Sequence, residues 1–308
     1  MVKGVLAIDL GGSKAASAVI DYEGHVYDYG VIPIDRRGGD YVVKQVVDMV
    51  RGYASRHRLD GIGISIPGIV DGGVVIWAPN IRGWRNVPLR ERVEEALRGI
   101  NVALIDDRAA SILGEAWMGE ARGLKNAVTL IIGTGVALGA LINGTVAMGA
   151  HDTFGAIGWW MLGTKPRRSR RGYLEGLVSG PALFKALARL CRIRHDEDCL
   201  RFLEGCEPGS AECVFKAIDM GVKHAEYVVR KAALIVGITV GNIISALDPE
   251  AVILNGGVGI ALGERYLEEI RGVALKVAQP YSSKRCRILV SKLGYLANLY
   301  GAAKIIMS

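Results

Sequence analysis

The chain alternates short, nearly unbroken apolar runs with longer stretches of helical periodicity. Residues 5–8, 61–66, 102–105, 128–132 and 251–254 are apolar runs of strand length. Runs without alternation suit strands buried on both faces of a sheet. Two of them are followed, across a glycine turn, by second apolar runs at 15–20 and 136–142, which predict hairpins. Between strands, residues 40–58 place Val43, Val46, Val47, Val50 and Ala54 on one stripe. That spacing predicts a helix with Asp40 as its N-cap. Helices are also predicted over 88–97, 108–121, much of 180–247, and 296–306, with a late strand at 287–290. Asn143-Gly144 is a hairpin-turn signal. Strands interleaved with helices predict an α/β protein. The unit of strand, glycine turn and strand recurs after about 120 residues, so a duplicated, two-lobed fold is expected.

Composition sharpens this picture at the turns. Of 308 residues 41 are glycine, about twice the usual share of roughly 7%. Three apolar strands end in glycine: Gly11-Gly12, Gly133-Thr134-Gly135 and Gly256-Gly257. Lacking Cβ, such turns bring backbone N–H groups close to a phosphate. Asp9, Ser13, Lys14 and Thr134 flank them. None matches the P-loop pattern, and none is expected to open a helix as a dinucleotide fingerprint does. The expected ligand is therefore a nucleotide on a different scaffold.

Charge and cysteine content narrow the classes. The net charge is +7, with one dense basic run, Lys165-Pro166-Arg167-Arg168-Ser169-Arg170-Arg171. It reads as a solvated loop, and no nucleic-acid motif accompanies it. Residues 126–150 carry no formal charge, yet their five glycines and the Asn143-Gly144 turn argue for strands rather than a membrane span. An acid already at Asp9 argues against a signal peptide. A cytoplasmic protein is expected, with neither nucleic acid nor membrane as partner. The five cysteines lack metal-ligand spacing. Two glutamines against 25 arginines lean toward a thermophile, in which intracellular disulfides occur.

In this order and spacing the motifs resemble the ROK family of repressors and sugar kinases, within the actin-like ATPase superfamily. Ile8-Asp9-Leu10-Gly11-Gly12-Ser13-Lys14 is similar to the family's first phosphate motif. Gly63-Ile64-Ser65-Ile66-Pro67-Gly68, Ala78-Pro79-Asn80, Gly83-Trp84, Asp106-Asp107, Gly114-Glu115, Gly133-Thr134-Gly135, Gly256-Gly257 and Gly301-Ala302-Ala303 continue the resemblance along the chain. It implies a two-lobed actin-like ATPase (ribonuclease H-like) fold with duplicated lobes and a central cleft. The expected lobes are residues 1–107 with 290–308, and residues 108–289. The family's repressors carry a winged helix before the first phosphate motif, and only four residues precede the first strand here, so a kinase is expected rather than a repressor.

The resemblance also implies roles. Asp107 matches the base that takes the proton of the sugar hydroxyl. Asn80, Glu175 and Gly68 join it on the sugar side. Asp9 matches a residue that holds Mg²⁺ through water. Gly11, Gly12, Ser13 and Lys14 match the terminal-phosphate turn, Gly133, Thr134 and Gly135 the β-phosphate turn, and Gly256 and Gly257 the adenosine loop. ATP and Mg²⁺ are the implied cofactors, a small sugar the implied partner, and a homodimer the expected assembly. The implied reaction is phosphorylation of a glucose-like hexose at its 6-hydroxyl. The alternatives are a kinase for an N-acetylhexosamine or other modified sugar, a sugar- or nucleotide-binding module with little catalysis, and, least favoured, a polyanion binder.

Four departures stand out. The family's usual Asn is Asp106 here, read as a helix-terminal acid. The second phosphate motif continues as Val136-Ala137-Leu138-Gly139 rather than with more glycines. The family's sugar-binding Glu and its zinc- and sugar-binding His are Ala156 and Trp159, and the three zinc cysteines are absent. No structural zinc is therefore expected, with Trp159 and Trp160 expected to pack into the core in its place. His151 and Asp152 are candidates to rebuild the lost sugar contact.

Overall fold

The computed structural model describes residues 2–97, 99–164 and 172–308; the Lys165-to-Arg171 run lies outside the described residues. The chain opens with β1 (Lys3–Leu10), β2 (Lys14–Ile20) and β3 (Val26–Pro33), then α1 (Gly39–Ala54) and β4 (Arg58–Ile66). Three short strands, β5 (Ile69–Asp71), β6 (Val74–Trp77) and β7 (Arg85–Val87), form a small sheet of their own. Then come α2 (Leu89–Ala96), β8 (Val102–Asp106) and α3 (Asp107–Met118). A second cycle holds β9 (Ala127–Ile132), β10 (Val136–Ile142) and β11 (Thr145–Val146). A helical stretch comprises α4 (Glu175–Val178), α5 (Gly180–Arg194), α6 (Glu197–Glu204), α7 (Ala211–Asp219) and α8 (Lys223–Leu247). The chain closes with β12 (Ala251–Asn255), α9 (Gly256–Val277), α10 (Pro280–Ser283), β13 (Arg287–Val290) and α11 (Leu296–Met307).

The two large sheets share one topology. Their strand orders are β3-β2-β1-β4-β8 and β11-β10-β9-β12-β13, which is third, second, first, fourth, fifth in both. In each, an antiparallel hairpin adjoins parallel strands. The central strands are the unbroken apolar runs: Val5, Leu6, Ala7 and Ile8 are fully buried, as are Ala251, Val252, Ile253 and Leu254. The expected duplication is present, and Asn143 and Gly144 both take positive φ at the β10–β11 turn.

The chain divides into two compact units. Unit 1 comprises residues 1–124, 139–154 and 295–308, and unit 2 residues 125–138 and 155–294. Helix α3 belongs to unit 1 because it packs along α11, and that crossing is unusually close. A Cβ on Gly114 would lie 1.9 Å from the Ala297 carbonyl oxygen, and one on Gly301 1.9 Å from that of Ala110. Two glycines thus let the helix backbones touch. In unit 2, α8 is long and apolar enough to cross a membrane, but most of its apolar window is buried inside the protein.

Several local expectations change. Helix α1 begins one residue earlier than Asp40 and ends at Ala54. Gly38, at φ +72° against the Arg82 carbonyl, makes the turn that an Asp40 cap was expected to make. Asp40 sits in the first turn and pairs with Arg92 at 3.3 Å. The third glycine turn does open a helix: Gly256 is the first residue of α9, capped by Asn255. Trp159 is 64% exposed rather than core, because a single 3-10 turn (Ile157–Trp159) buries Ile157 and Gly158 and points the indole outward. Cys191 is bonded to Cys199 and Cys206 to Cys213, stapling α6 to α5 and its following loop to α7; the sequence left that pairing open.

Candidate active site

In unit 1, β1, β4 and β8 run parallel, so their carboxyl ends lie side by side. Asp9 is in register with Ser65, and Ile66 with Asp106. Ligands of open α/β sheets gather at such ends, and most unit 1 candidates are there. The Asp9 carboxylate Oδ1 accepts from Ser65 Oγ at 2.7 Å and from Asn298 Nδ2, on α11, at 3.1 Å. Burial raises its proton affinity, and the bonds from Ser65 and Asn298 offset only part of that.

Asp106 and Asp107 straddle the step from β8 into α3. Asp106 is the N-cap; its Oδ1 accepts from the backbone N–H groups of Arg108 (3.1 Å) and Ala109 (3.2 Å). This satisfies two of the helix's orphan donors. Asp107, the first helical residue, makes no such cap. The residue is partly exposed, but desolvation of its carboxyl, with the Asp106 and Asp9 charges adding to it, pushes its pKa up to about 7; Arg108 opposes the shift. Two neighbouring carboxylates thereby acquire different chemistry.

The remaining unit 1 candidates lie on loops that are themselves tied down. Gly11 N–H donates to the Lys14 carbonyl at 2.8 Å, closing the β1–β2 turn, while Gly12, Ser13 and Lys14 are exposed. Gly12 abuts Asn80 so closely that a Cβ there would lie 2.8 Å from the Asn80 Cβ. Asn80 is presented by a loop closed by Ala78 N–H to the Trp84 carbonyl (3.0 Å) and anchored by Trp84 Nε1 to the Gly39 carbonyl (3.1 Å). Gly68 follows β4, and its carbonyl accepts from Arg108 Nη2 at 3.4 Å.

Unit 2 brings its glycine turns together at the ends of β9 and β12, where Asn255 is in register with Ile131. Gly256 takes φ +75° and backs onto the carbonyl of Ile132, the residue before Gly133. Its N–H donates to Asn255 Oδ1 at 2.7 Å. Gly133 N–H donates to the Gly135 carbonyl, and the Gly133 carbonyl accepts from Gly180 N–H at the start of α5, both at 2.9 Å. Thr134 and Gly257 are exposed. Glu175, at the start of α4, reaches the same turn: Oε2 accepts from Val136 N–H at 3.4 Å. Ala156 and Trp159 are exposed in this unit.

Sequence reasoning passed over Ser65, Asn298 and Arg108. Ser65 lay within a quoted motif, at the register position opposite Asp9. Asn298 carried no local signal, since it meets Asp9 across 289 residues of chain.

Residues 5–308 match the ROK family. A glucokinase of Halalkalibacterium halodurans is 29% identical over 98% of this chain and 94% of its own length. A xylose repressor of Caldicellulosiruptor bescii is 30% identical over 80% of this chain and 62% of its own length. A ROK family glucokinase from Streptomyces griseus, solved with glucose and AMPPNP, superposes with a TM-score of 0.85 at 26% identity, covering 98% of both chains.

Proposed function

The chain belongs to the ROK family and has its actin-like ATPase fold, and on that premise we propose that it is an ATP-dependent sugar kinase acting on the 6-hydroxyl of a glucose-like hexose. The observation that carries the proposal is the Asp107 carboxyl, whose pKa near 7 is that of a group able to take a proton at neutral pH. In the proposed reaction Asp107 accepts the hydroxyl proton as the sugar oxygen attacks the terminal phosphoryl group of ATP. Phosphoryl transfer asks the protein chiefly for positioning and charge stabilisation. Gly11, Gly12, Ser13, Lys14, Gly133, Thr134 and Gly135 are assigned to the phosphates, Gly256 and Gly257 to the adenosine, and Asn80, Gly68 and Glu175 to the sugar.

Asp9 suits a divalent cation held through water. It is a hard oxygen donor whose burial disfavours an unneutralised charge. Among the described residues its donors fall on Oδ1 alone, leaving Oδ2 open. Magnesium held there would neutralise charge on the phosphates.

The test is ADP release with Mg-ATP across hexoses, amino sugars and N-acetyl sugars. Release with glucose or a close analogue is expected; none with any sugar would overturn the proposal. The exposed Ala156 and Trp159, where family members carry sugar-binding Glu and His, favour one second reading, a modified sugar such as an N-acetylhexosamine. The same panel separates the two, since rejection of wrong sugars rests on buried hydrogen bonds.

A further inference from the structure

Arg108 follows the candidate base and is absorbed by none of the roles above. Its side chain is 12% exposed and that of Asp106, its ion-pair partner, 6%. Arg108 Nε donates to Asp106 Oδ1 at 2.8 Å, and Nη2 reaches two carbonyls on separate loops, Asp152 at 2.9 Å and Gly68 at 3.4 Å. One guanidinium therefore joins the amino end of α3, the loop after β4 and the segment before Gly155, all within unit 1. The segment needs an external hold: Asp152 takes φ +51°, which a non-glycine residue rarely adopts unless its surroundings impose it.

We infer that Arg108, neutralised by Asp106, is a positioning residue that fixes the Gly68 loop and the His151–Asp152 segment beside Asp107 and so sets how tightly the acceptor sugar is held. The inference rests on the kinase reading. The planar guanidinium suits the task because its fork of donors reaches several acceptors at once, whereas a lysine ammonium is a point charge on a flexible stem. Asp106 is the matching half. A buried arginine needs a counter-charge, and the carboxylate at the cap supplies it while still satisfying the helix N–H groups. An asparagine there would cap the helix but leave the guanidinium unneutralised.

Arg108→Ala alone would leave Asp106 buried without its partner and risks unfolding, so the main test is the double variant Asp106→Asn with Arg108→Ala. It removes both charges and keeps a capping oxygen. Two measurements are made on this variant, on Arg108→Lys and on the wild type. The first is hydrogen exchange of the amides in residues 66–70 and 150–154. The second is the split of KM for sugar and for ATP against kcat. Exchange in both segments is expected to quicken by about tenfold or more in the double variant while α3 and α11 keep their protection. KM for the sugar is expected to rise about tenfold with KM for ATP within about twofold, and Arg108→Lys to fall between. Unchanged exchange in those segments, or a sugar KM within about twofold of wild type in a folded double variant, overturns the inference. A wild-type chain that phosphorylates no sugar overturns the kinase reading and this inference with it, and is distinguished by the wild-type measurement alone.

Discussion

The two large sheets have the same strand order and differ in what they carry at their carboxyl ends. The first ends in Asp9, Ser65, Asp106 and Asp107; the second ends in Gly133, Thr134, Gly135, Asn255 and Gly256. One set offers carboxylates, of which Asp9 and Asp107 have their proton affinity raised by burial; the other offers backbone N–H groups and small neutral side chains. Equal topology thus supports unequal chemistry, and the division of labour resides in a handful of strand-end residues rather than in the fold. In the proposed reaction the proton and the cation fall to the first sheet alone, whereas phosphate contacts are assigned to glycine turns of both sheets, Gly11-Gly12 in the first and Gly133-Thr134-Gly135 in the second.

The comparison breaks most decisively at Asp107. Asp107→Asn removes the proton acceptor and keeps the shape, so kcat is expected to drop about 10²–10⁴-fold. AMPPNP affinity, measured by calorimetry, should stay within about twofold of wild type. Turnover at the wild-type rate would move the chemistry away from the carboxylate-bearing sheet.

The next effect is on stability, and it concerns how that sheet's site is held. Asn298 reaches Asp9 from α11, which is packed both on the sheet and flush against α3, the latter contact made close by Gly114 and Gly301. Gly301→Ala sets a methyl group against the Ala110 carbonyl, and forced separation of such a contact costs about 1–3 kcal/mol or more. A lower thermal midpoint, together with weaker activity in the surviving fold, is expected. An unchanged midpoint would mean that the helices can part freely and that the close crossing does not fix Asn298.

What was legible in the sequence follows the same divide. Buried parallel strands leave unbroken apolar runs, so residues 5–8, 128–132 and 251–254 announced themselves, and the repeated hairpin announced the duplication. The glycine turns were legible as turns, but their reasons for glycine were not: Gly256 takes positive φ, whereas Gly11 and Gly12 are closely approached by Lys14 and Asn80. Less legible was anything decided by chain segments far apart. That Gly38 rather than Asp40 starts α1 depends on the Arg82 carbonyl packing beside it. That the third glycine turn opens a helix depends on Gly256 fitting over Ile132. Asn298 and the reach of Arg108 to two loops are tertiary facts with no local periodicity. Trp159 misled because a large apolar side chain is usually buried, whereas its short 3-10 turn buries Ile157 and Gly158 and leaves the indole exposed among the described residues.

The pH dependence sharpens the contrast between the sheets, since Asp107 at the end of the first has its pKa pushed up to about 7 by burial. Asp107 must be ionised to act, so kcat is expected to fall about tenfold for each pH unit below about 7 and to level off above it. The sign for stability is the opposite. A carboxyl that holds its proton more tightly folded than unfolded stabilises the fold at low pH, and that contribution is lost as pH rises from about 4 through about 7. Asp107→Asn should accordingly be more stable than wild type at pH 8, by about 1–3 kcal/mol, and close to it at pH 4. Denaturant titrations at the two pH values decide this, and equal stability at pH 8 would mean that Asp107 ionises there without penalty.

The smallest effect is expected in the second sheet. A Cβ added at Gly133 meets no atom within 4 Å, whereas one at Gly135 lies 3.1 Å from Glu175 Oε2 and one at Gly256 lies 2.5 Å from the Ile132 carbonyl. Gly133 does not take positive φ either. Gly133→Ala should therefore leave stability within about 0.5 kcal/mol of wild type. If Gly133 is open because phosphate approaches its backbone, the methyl group should still weaken AMPPNP binding, by about three- to tenfold. Calorimetric titration alongside a melting curve tests both halves. An intact melting curve with weakened binding marks the turn as a ligand surface, and unchanged binding would make Gly133 an ordinary hairpin glycine, with the contrast between the sheets then resting on Gly256 and Gly257.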